Sequence, residues 1–309
     1  TTYLTLPEFV NFSREKSSRL YNSLVGLLSH SQEWADIRHL YTLAWMLIGL
    51  IHSGSVNLTK WGDYVQSKAL FAQSKQRRFS RWLHNPRINP TRLYSPLIQA
   101  ALSHWQEENL FLSMDTSMLW NKYCLIKIGV VYRGRCIPVA WRVLEHGSSS
   151  VAMKDYQNLL KRVSRLMPVG VKVILLADRG FIDNQLLKYV KEHLSWHYRI
   201  RIKSDFWLWR QGKGWCQVQD FHLGLGEALL LQNVRLHKTQ FFGPVHLALA
   251  HEQISGEYWY IVSDEPTTLQ TFHEYGLRFE IEESFLDDKS NGFELESSQI
   301  RSSSALSRL

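Results

Sequence analysis

Only 3 cysteines occur in the 309 residues, Cys124, Cys136 and Cys216. They are odd in number and widely scattered, so they supply neither a disulfide framework nor zinc-finger spacing, which favours a reducing compartment. Long hydrophobic runs are missing too. The longest, Leu40 to Ile51, is too short to cross a bilayer and is expected as a buried helix. No signal-peptide pattern opens the chain, which begins TTYL without methionine, as if its true start were missing. Several short signatures also fail. GKGW at 212–215 lacks the GxxxxGK[ST] spacing and is expected as a hairpin turn. GLGE at 224–227 lacks the third glycine of a dinucleotide fingerprint. His193 and His197 are spaced i,i+4, but the glutamate of HExxH is absent. Glycosidases use paired carboxylates and aromatics; the 12 tryptophans fit that class, but the basic charge argues against it.

What is present is a well-packed composition, 45% hydrophobic and 13% aromatic, unlike that of disordered chains. The length allows two domains, or one large domain with an insertion. Net charge is +8 and the pI near 9.3. Residues 1–110 carry 12 Lys+Arg against 7 Asp+Glu, a balance consistent with a polyanionic partner.

Residues 1–105 are expected to form a helical domain, from the amphipathic stretches Glu8–Leu28, Glu33–Ile51 and Leu58–Lys68. The segment that follows interleaves Arg77, Arg78, Arg81, Arg87 and Arg92 with Phe79 and Trp82. Thr59–His84 therefore reads either as a helix-turn-helix with a basic second helix, or as a surface helix with solvated arginines. Asn85-Pro86 and Asn89-Pro90 mark a turn before the second domain, 106–309. There the period becomes strand-like: FLSMDTSML, a hairpin turning at Arg133-Gly134-Arg135, a helix over Val151–Met167, and VKVILLA as a strand buried on both faces. A helix Asn184–His193 and a strand HYRIRIKS complete the order. Residues 205–264, rich in aromatics, are expected as an all-β insertion, followed by a helix from Pro266 to about Lys289. Gly276 inside that helix weakens it by about 1 kcal/mol relative to alanine, so a break between Tyr275 and Arg278 is allowed for.

Three acids stand out. Asp115 is mid-strand among apolar neighbours, facing either a site or solvent, because burying an unpaired carboxylate is costly. Asp178 follows a buried parallel strand, where open α/β sheets place ligands; the competing reading is a helix N-cap or turn residue. Glu282 belongs to Y-x2-R-x3-E-x6-K, formed by Tyr275, Arg278, Glu282 and Lys289. At about 100° per residue these fall near 0°, 300°, 340° and 320°, a stripe about 60° wide. One carboxylate between cations on a single face suits a metal held beside phosphate; a solvated face with ion pairs is the plain alternative. Two strand carboxylates and one helix carboxylate offer Mg²⁺ or Mn²⁺ the hard oxygens of a two-metal site.

On the first acid in MDTSM, the second in ADRGF and the complete Y-x2-R-x3-E-x6-K string, the chain resembles DDE-type insertion-sequence transposases. Within them it is similar to the family four branch of bacterial insertion sequences. The resemblance covers about Leu110 to Ile300. It implies an α/β fold with an RNase H-like, retroviral integrase-like mixed sheet flanked by helices, with the β insertion before the last catalytic helix and a helical DNA-binding domain in front. It also implies that Asp115, Asp178 and Glu282 bind the metals, and that Tyr275, Arg278 and Lys289 grip phosphates. Trp259 would stack on a flipped base, or else pack in the core. Arg77, Arg78 and Arg81 would contact DNA. The expected partners are transposon-end inverted repeats and target DNA, with a homodimer on paired ends, in the bacterial cytoplasm at the nucleoid. The implied course is nicking at the end, hairpin formation, hairpin hydrolysis and strand transfer. Only 20 residues follow Lys289, where similar proteins continue with further helices. The alternative expectation is therefore a truncated or inactive DNA-binding derivative.

Overall fold

The computed structural model describes residues 19–29, 34–66, 71–237 and 241–309. It divides into two compact units, residues 1–100 with 286–309, and residues 101–285. The expected boundary at 105/106 lies close to this division, but residues 286–309, expected with the catalytic domain, group with the helical unit.

In the helical unit, residues 19–29 form α1 and Ile37–Ser53 form α2. Asp36 caps α2 by accepting from Arg38 N, and Gly54 ends it at φ 61°, a left-handed conformation that suits glycine. The long apolar run of the sequence is this helix. Among the described residues no helix is long and apolar enough to cross a membrane. Lys60–Tyr64 is a single 3₁₀ turn, not the first helix of a helix-turn-helix. A Cβ on Gly49 of α2 would lie 2.5 Å from Trp61 Cβ, so the turn is pressed directly onto α2. Helix α3, Ala72–Leu83, buries Phe79, Trp82 and Leu83, and Trp82 Nε1 donates to His39 O at 3.0 Å. Helix α4 follows at Pro90–Leu102. The C-terminal segment belongs here because Arg308 donates to Ile88 O and Leu83 O, and Ser55 Oγ donates to Glu294. Residues 8–18, 33 and 67–68 of the expected helices lie outside the described residues.

The second unit is built on one ten-stranded sheet of order β3-β2-β1-β4-β5-β10-β9-β8-β6-β7. Strands β1 (Asn109–Leu119), β2 (Tyr123–Tyr132) and β3 (Arg135–Glu145) form an antiparallel meander. The β2–β3 turn places Arg133 at φ 50° and Gly134 at φ 70°, the paired positive values that a two-residue hairpin favours. Strand β4 (Lys172–Ala177) runs parallel to β1 and to β5 (His197–Arg201). As VKVILLA implied, it is buried from Val173 onward. Helix α5, Met153–Ser164, lays Met153, Tyr156, Leu159, Leu160 and Val163 on one face against β2 and β3. Helix α6, Asn184–Lys188, continues as a π-helical turn to His193.

The expected β insertion supplies β6 (Trp207–Arg210), β7 (Gly214–Gln217), β8 (Ala228–Leu236), β9 (Phe242–His251) and β10 (Tyr258–Ser263). It is not a separate layer. Strand β10 pairs antiparallel with β5, so the insertion prolongs the central sheet. The signature segment then follows as α7 (Gln270–Gly276), a 3₁₀ turn Leu277–Phe279, α8 (Glu280–Leu286) and a π-helical turn Asp287–Asn291. The helix thus changes winding next to Gly276, as its low propensity allowed.

Candidate active site

Strands β1 and β4 run side by side in parallel, with Met114 opposite Ala177 as the last registered pair. One step further in the same register are Asp115 and Asp178, so neighbouring strands, normally about 4.8 Å apart, present both carboxylates at one end. That end is the carboxyl end of β4, where ligands bind in open α/β sheets. Asp178 stands at the N-cap position of the turn Arg179–Phe181, yet its side chain makes no capping hydrogen bond. Asp178 opens the turn through its backbone, its carbonyl accepting from Phe181 N at 2.9 Å, while its carboxylate is not used in capping and stands at the strand end.

The third acid comes from α8, which two polar ties fasten to the sheet. Ser113 Oγ of β1 donates to Arg278 O at 3.2 Å. Lys127 Nζ of β2 donates to Ser284 O at 3.3 Å and Ser284 Oγ at 3.0 Å, and lies 4.4 Å from the centre of the Phe285 ring. The ties flank Glu282. Lys127 is 3% exposed and sits opposite Asp115 in the β1–β2 register. The sequence reading missed it. The available signal was a lysine inside the apolar run YCLIKIGVVY, since a cation in a buried strand needs partners to hold it.

Arg278 joins the acids. Its Nη1 donates to Asp115 Oδ2 at 3.1 Å and its Nη2 to Glu282 Oε1 at 2.6 Å. The guanidinium is 4% exposed, Asp115 18% and Glu282 51%. Asp115 Oδ1 accepts from Thr116 N at 2.7 Å. Burial drives the Asp115 pKa up to about 6; Asp178 and Glu282 add to the rise, against the lowering by the Thr116 amide and Arg278. Asp115 therefore feels both other carboxylates, with the buried Arg278 between it and Glu282. Tyr275 is fully buried, its hydroxyl pushed up to about 12 chiefly by burial. Tyr275 Oη and Arg278 Nε are buried without a hydrogen-bond partner of regular geometry, each having at most a weak contact with the other residue. Buried groups of this kind mark places where a further polar ligand belongs.

Trp259 of β10 is half-buried, with its ring 5.7 Å from Tyr275 and 5.8 Å from Phe279; it packs on the signature segment. Lys289 falls in the π-helical turn and belongs to the helical unit. In α3, Arg77 and Arg81 are exposed, while Arg78 bonds Thr42 Oγ1 through Nε and Nη2 at 3.1 and 3.0 Å. Arg78 thus joins α3 to α2, and Arg77 and Arg81 carry the solvent-facing charge.

A second charged cluster lies at the other end of β4 and β5. Ligand atoms of His197, Asp264 and Glu265 lie within 4.8 Å of one another, a proximity that Asp115, Asp178 and Glu282 do not reach. These atoms already have protein partners. Glu265 receives Lys172 Nζ at 2.6 Å and Arg199 Nη2 at 2.9 Å. Asp264 receives His197 Nδ1 at 2.9 Å and Tyr198 N at 3.1 Å. Proximity alone is a poor guide: a metal here would have to displace Lys172 and the buried Arg199 from Glu265, and the buried Tyr198 amide from Asp264. The acids at the carboxyl end fit a divalent ion better, as hard oxygen donors of which Asp115 is held in its ionised form only against burial and its acidic neighbours.

A family model described as a transposase DDE domain matches residues 120–309. That span contains Asp178, Tyr275, Arg278, Glu282 and Lys289; Asp115 lies five residues before it. Among solved structures, the piggyBac transposase synaptic complex with hairpin DNA matches with a TM-score of 0.44 and 12% identity, over 87% of this chain and 64% of that one. Marinitoga piezophila Argonaute, in complex with guide RNA and target DNA, matches with a TM-score of 0.26 and 12% identity, over 69% of this chain and 33% of that one. The chain thus spans less than two thirds of either. No curated protein matches it.

Proposed function

The chain belongs to the family of transposase DDE domains, and on that premise we propose that it is a DNA transposase acting by phosphoryl transfer at transposon ends. Asp115, Asp178 and Glu282 would hold divalent ions, Mg²⁺ or Mn²⁺ in a two-metal site. When bound, such ions polarise the scissile phosphate and activate the attacking water or 3′-hydroxyl. The observation that carries this reading is the joining of Asp115 to Glu282 through Arg278, beside a register that brings Asp178 next to Asp115.

The chain's own groups have separate tasks in this reading. The paired strand ends fix Asp115 and Asp178 on rigid elements, as positioning for in-line attack demands. The ties at Ser113 and Lys127 hold the backbone on either side of Glu282. The hydroxyl of Tyr275 and Nε of Arg278 offer donors to phosphate oxygens, and Lys289 adds charge. Exposed Arg77 and Arg81 supply sequence-independent backbone contacts from the helical domain, residues 1–105. The Y-R-E-K string supports assignment to the family four branch of bacterial insertion sequences. With it come the finer steps of hairpin formation and cut-and-paste transfer, a homodimer on paired inverted repeats, and a cytoplasmic, nucleoid-bound setting. Trp259 would assist hairpin formation only by leaving its contacts with Tyr275 and Phe279.

The test is strand cleavage of end DNA with Mg²⁺ by Asp115→Ala, Asp178→Ala and Glu282→Ala. Each is expected to lose at least about a thousandfold in cleavage rate, or about 4 kcal/mol in the barrier, with end binding largely kept. Near wild-type nicking by any one of them would remove that residue from the triad.

A further inference from the structure

We propose that Arg278 is an intramolecular competitor of the divalent ion: its guanidinium keeps Asp115 and Glu282 apart, and it must leave them for an ion to bind. The inference rests on the metal-binding reading above. One guanidinium takes one oxygen from each acid, Asp115 Oδ2 and Glu282 Oε1. The other Asp115 oxygen is held by the Thr116 amide. An ion coordinating Asp115 therefore meets a carboxylate whose oxygens are both engaged, one of them by a cation. A divalent ion and a guanidinium on the same oxygen repel strongly, so one displaces the other.

Arg278 differs from a purely structural buried arginine in how well it is satisfied. In the same sheet Arg199 donates through Nε to Glu274, through Nη1 to Tyr198 O and Ser263 Oγ, and through Nη2 to Glu265. Arg278 Nε has beside it only the Tyr275 hydroxyl, without the geometry of a regular hydrogen bond, so this third donor direction is weakly engaged. A half-satisfied buried network is the kind that rearranges when a better partner arrives. The backbone need not move for this. Arg278 O is tied to Ser113 Oγ, and Glu282, at 51% exposed, is free to swing its carboxylate. Released from Glu282, the guanidinium keeps its place over the Phe279 and Tyr275 rings, 4.6 and 5.8 Å from their centres. It also explains why the three acids are not mutually within 4.8 Å. A buried wedge between two of them holds the set open.

Mn²⁺ titration calorimetry on the full chain tests this, without reference to turnover. Arg278→Gln removes the charge but keeps bulk and a donor, and is expected to bind Mn²⁺ about tenfold more tightly than the wild type. Arg278→Lys, whose ammonium lacks the fork that bridges two carboxylates, is expected to gain about threefold. Circular dichroism checks folding; if Arg278→Gln does not fold, Arg278→Lys decides. Unchanged or weaker Mn²⁺ affinity in the folded variant, with wild-type binding abolished by Asp115→Asn and Asp178→Asn, overturns the competitor role and leaves the metal site standing. Failure of wild type and variant alike to bind millimolar Mn²⁺ overturns both.

Discussion

Two charged clusters occupy opposite ends of the same parallel strands, and they are balanced differently. At the start of β4 and β5, Asp264, Glu265 and Glu274 are matched by Lys172, His197 and Arg199, and Arg199 donates to carboxylates on two segments. At the carboxyl end, Arg278 bonds Asp115 and Glu282 but not Asp178, and a hydroxyl and a guanidinium nitrogen are without a regular partner. The first cluster is saturated by protein; the second is in deficit. A saturated network fastens strands β5 and β10 to α7. A deficit stores the electrostatic demand that a bound cation can meet, which is how functional sites come to be less stable than their surroundings.

The sharpest way to break this contrast is to remove the central cation of the saturated cluster. Arg199→Ala leaves Glu265 and Glu274 facing each other without their shared partner. Loss of one member of a buried ion network costs about 3–5 kcal/mol, so urea denaturation should lose most of the folding free energy. A loss under about 1 kcal/mol would mean the cluster is decorative.

The deficit predicts the opposite behaviour with pH. Asp115 has a folded pKa of about 6 against an ordinary value of 3.8. Its carboxyl keeps a proton in the folded chain at pH values where the unfolded chain has lost it. The associated stability is present below about pH 4 and disappears as pH rises through 6. At 1.36 kcal/mol per unit the loss is about 2–3 kcal/mol. Denaturation in chelator at pH 4 and pH 7 should show this slope in the wild type and lose it in Asp115→Asn. An identical slope in both would place the carboxyl in a milder setting.

A smaller effect of opposite sign belongs to Glu265. Burial opposes its ionisation, but hydrogen bonds from Lys172 and Arg199 outweigh that and lower its pKa. Its contribution is present above the ordinary carboxylate range and lost as pH falls through the lowered value. The group is partly in solvent, so screening leaves only about 1 kcal/mol. Glu265→Gln should lose that amount at pH 7 and nothing at pH 3; equal losses at both would point to packing instead.

Much of the second unit was legible from local pattern. The buried strand before Asp178, the hairpin at Arg133-Gly134 and the weak point at Gly276 each follow from apolar runs or backbone preference, which act within a few residues. Other features depend on what a segment meets. Periodicity put Arg278, Glu282 and Tyr275 on one face, but it could not say that Tyr275 and Arg278 would be buried there while Glu282 stays half exposed, nor that Arg278 would bond Asp115. The pairing of β5 with β10 joins residues 60 to 64 positions apart, and nothing local in either strand names its partner. Lys60–Tyr64 looked like part of a helix by composition, yet Gly62 and the pressure of Trp61 on Gly49 leave a single turn. The His197, Asp264 and Glu265 cluster likewise exists only because β10 ends beside the start of β5.

The two ties at Ser113 and Lys127 carry a kinetic consequence. They clamp the main chain at residues 278 and 284, so the arc bearing Glu282 is anchored on both flanks. Switching the carboxylate between partners then calls for torsions about its own side-chain bonds, which in exposed residues complete in picoseconds to nanoseconds. Sliding a whole helix would take microseconds or longer. Rearrangement on the Glu282 side of this cluster therefore needs no movement of the main chain, only rotation of an exposed side chain.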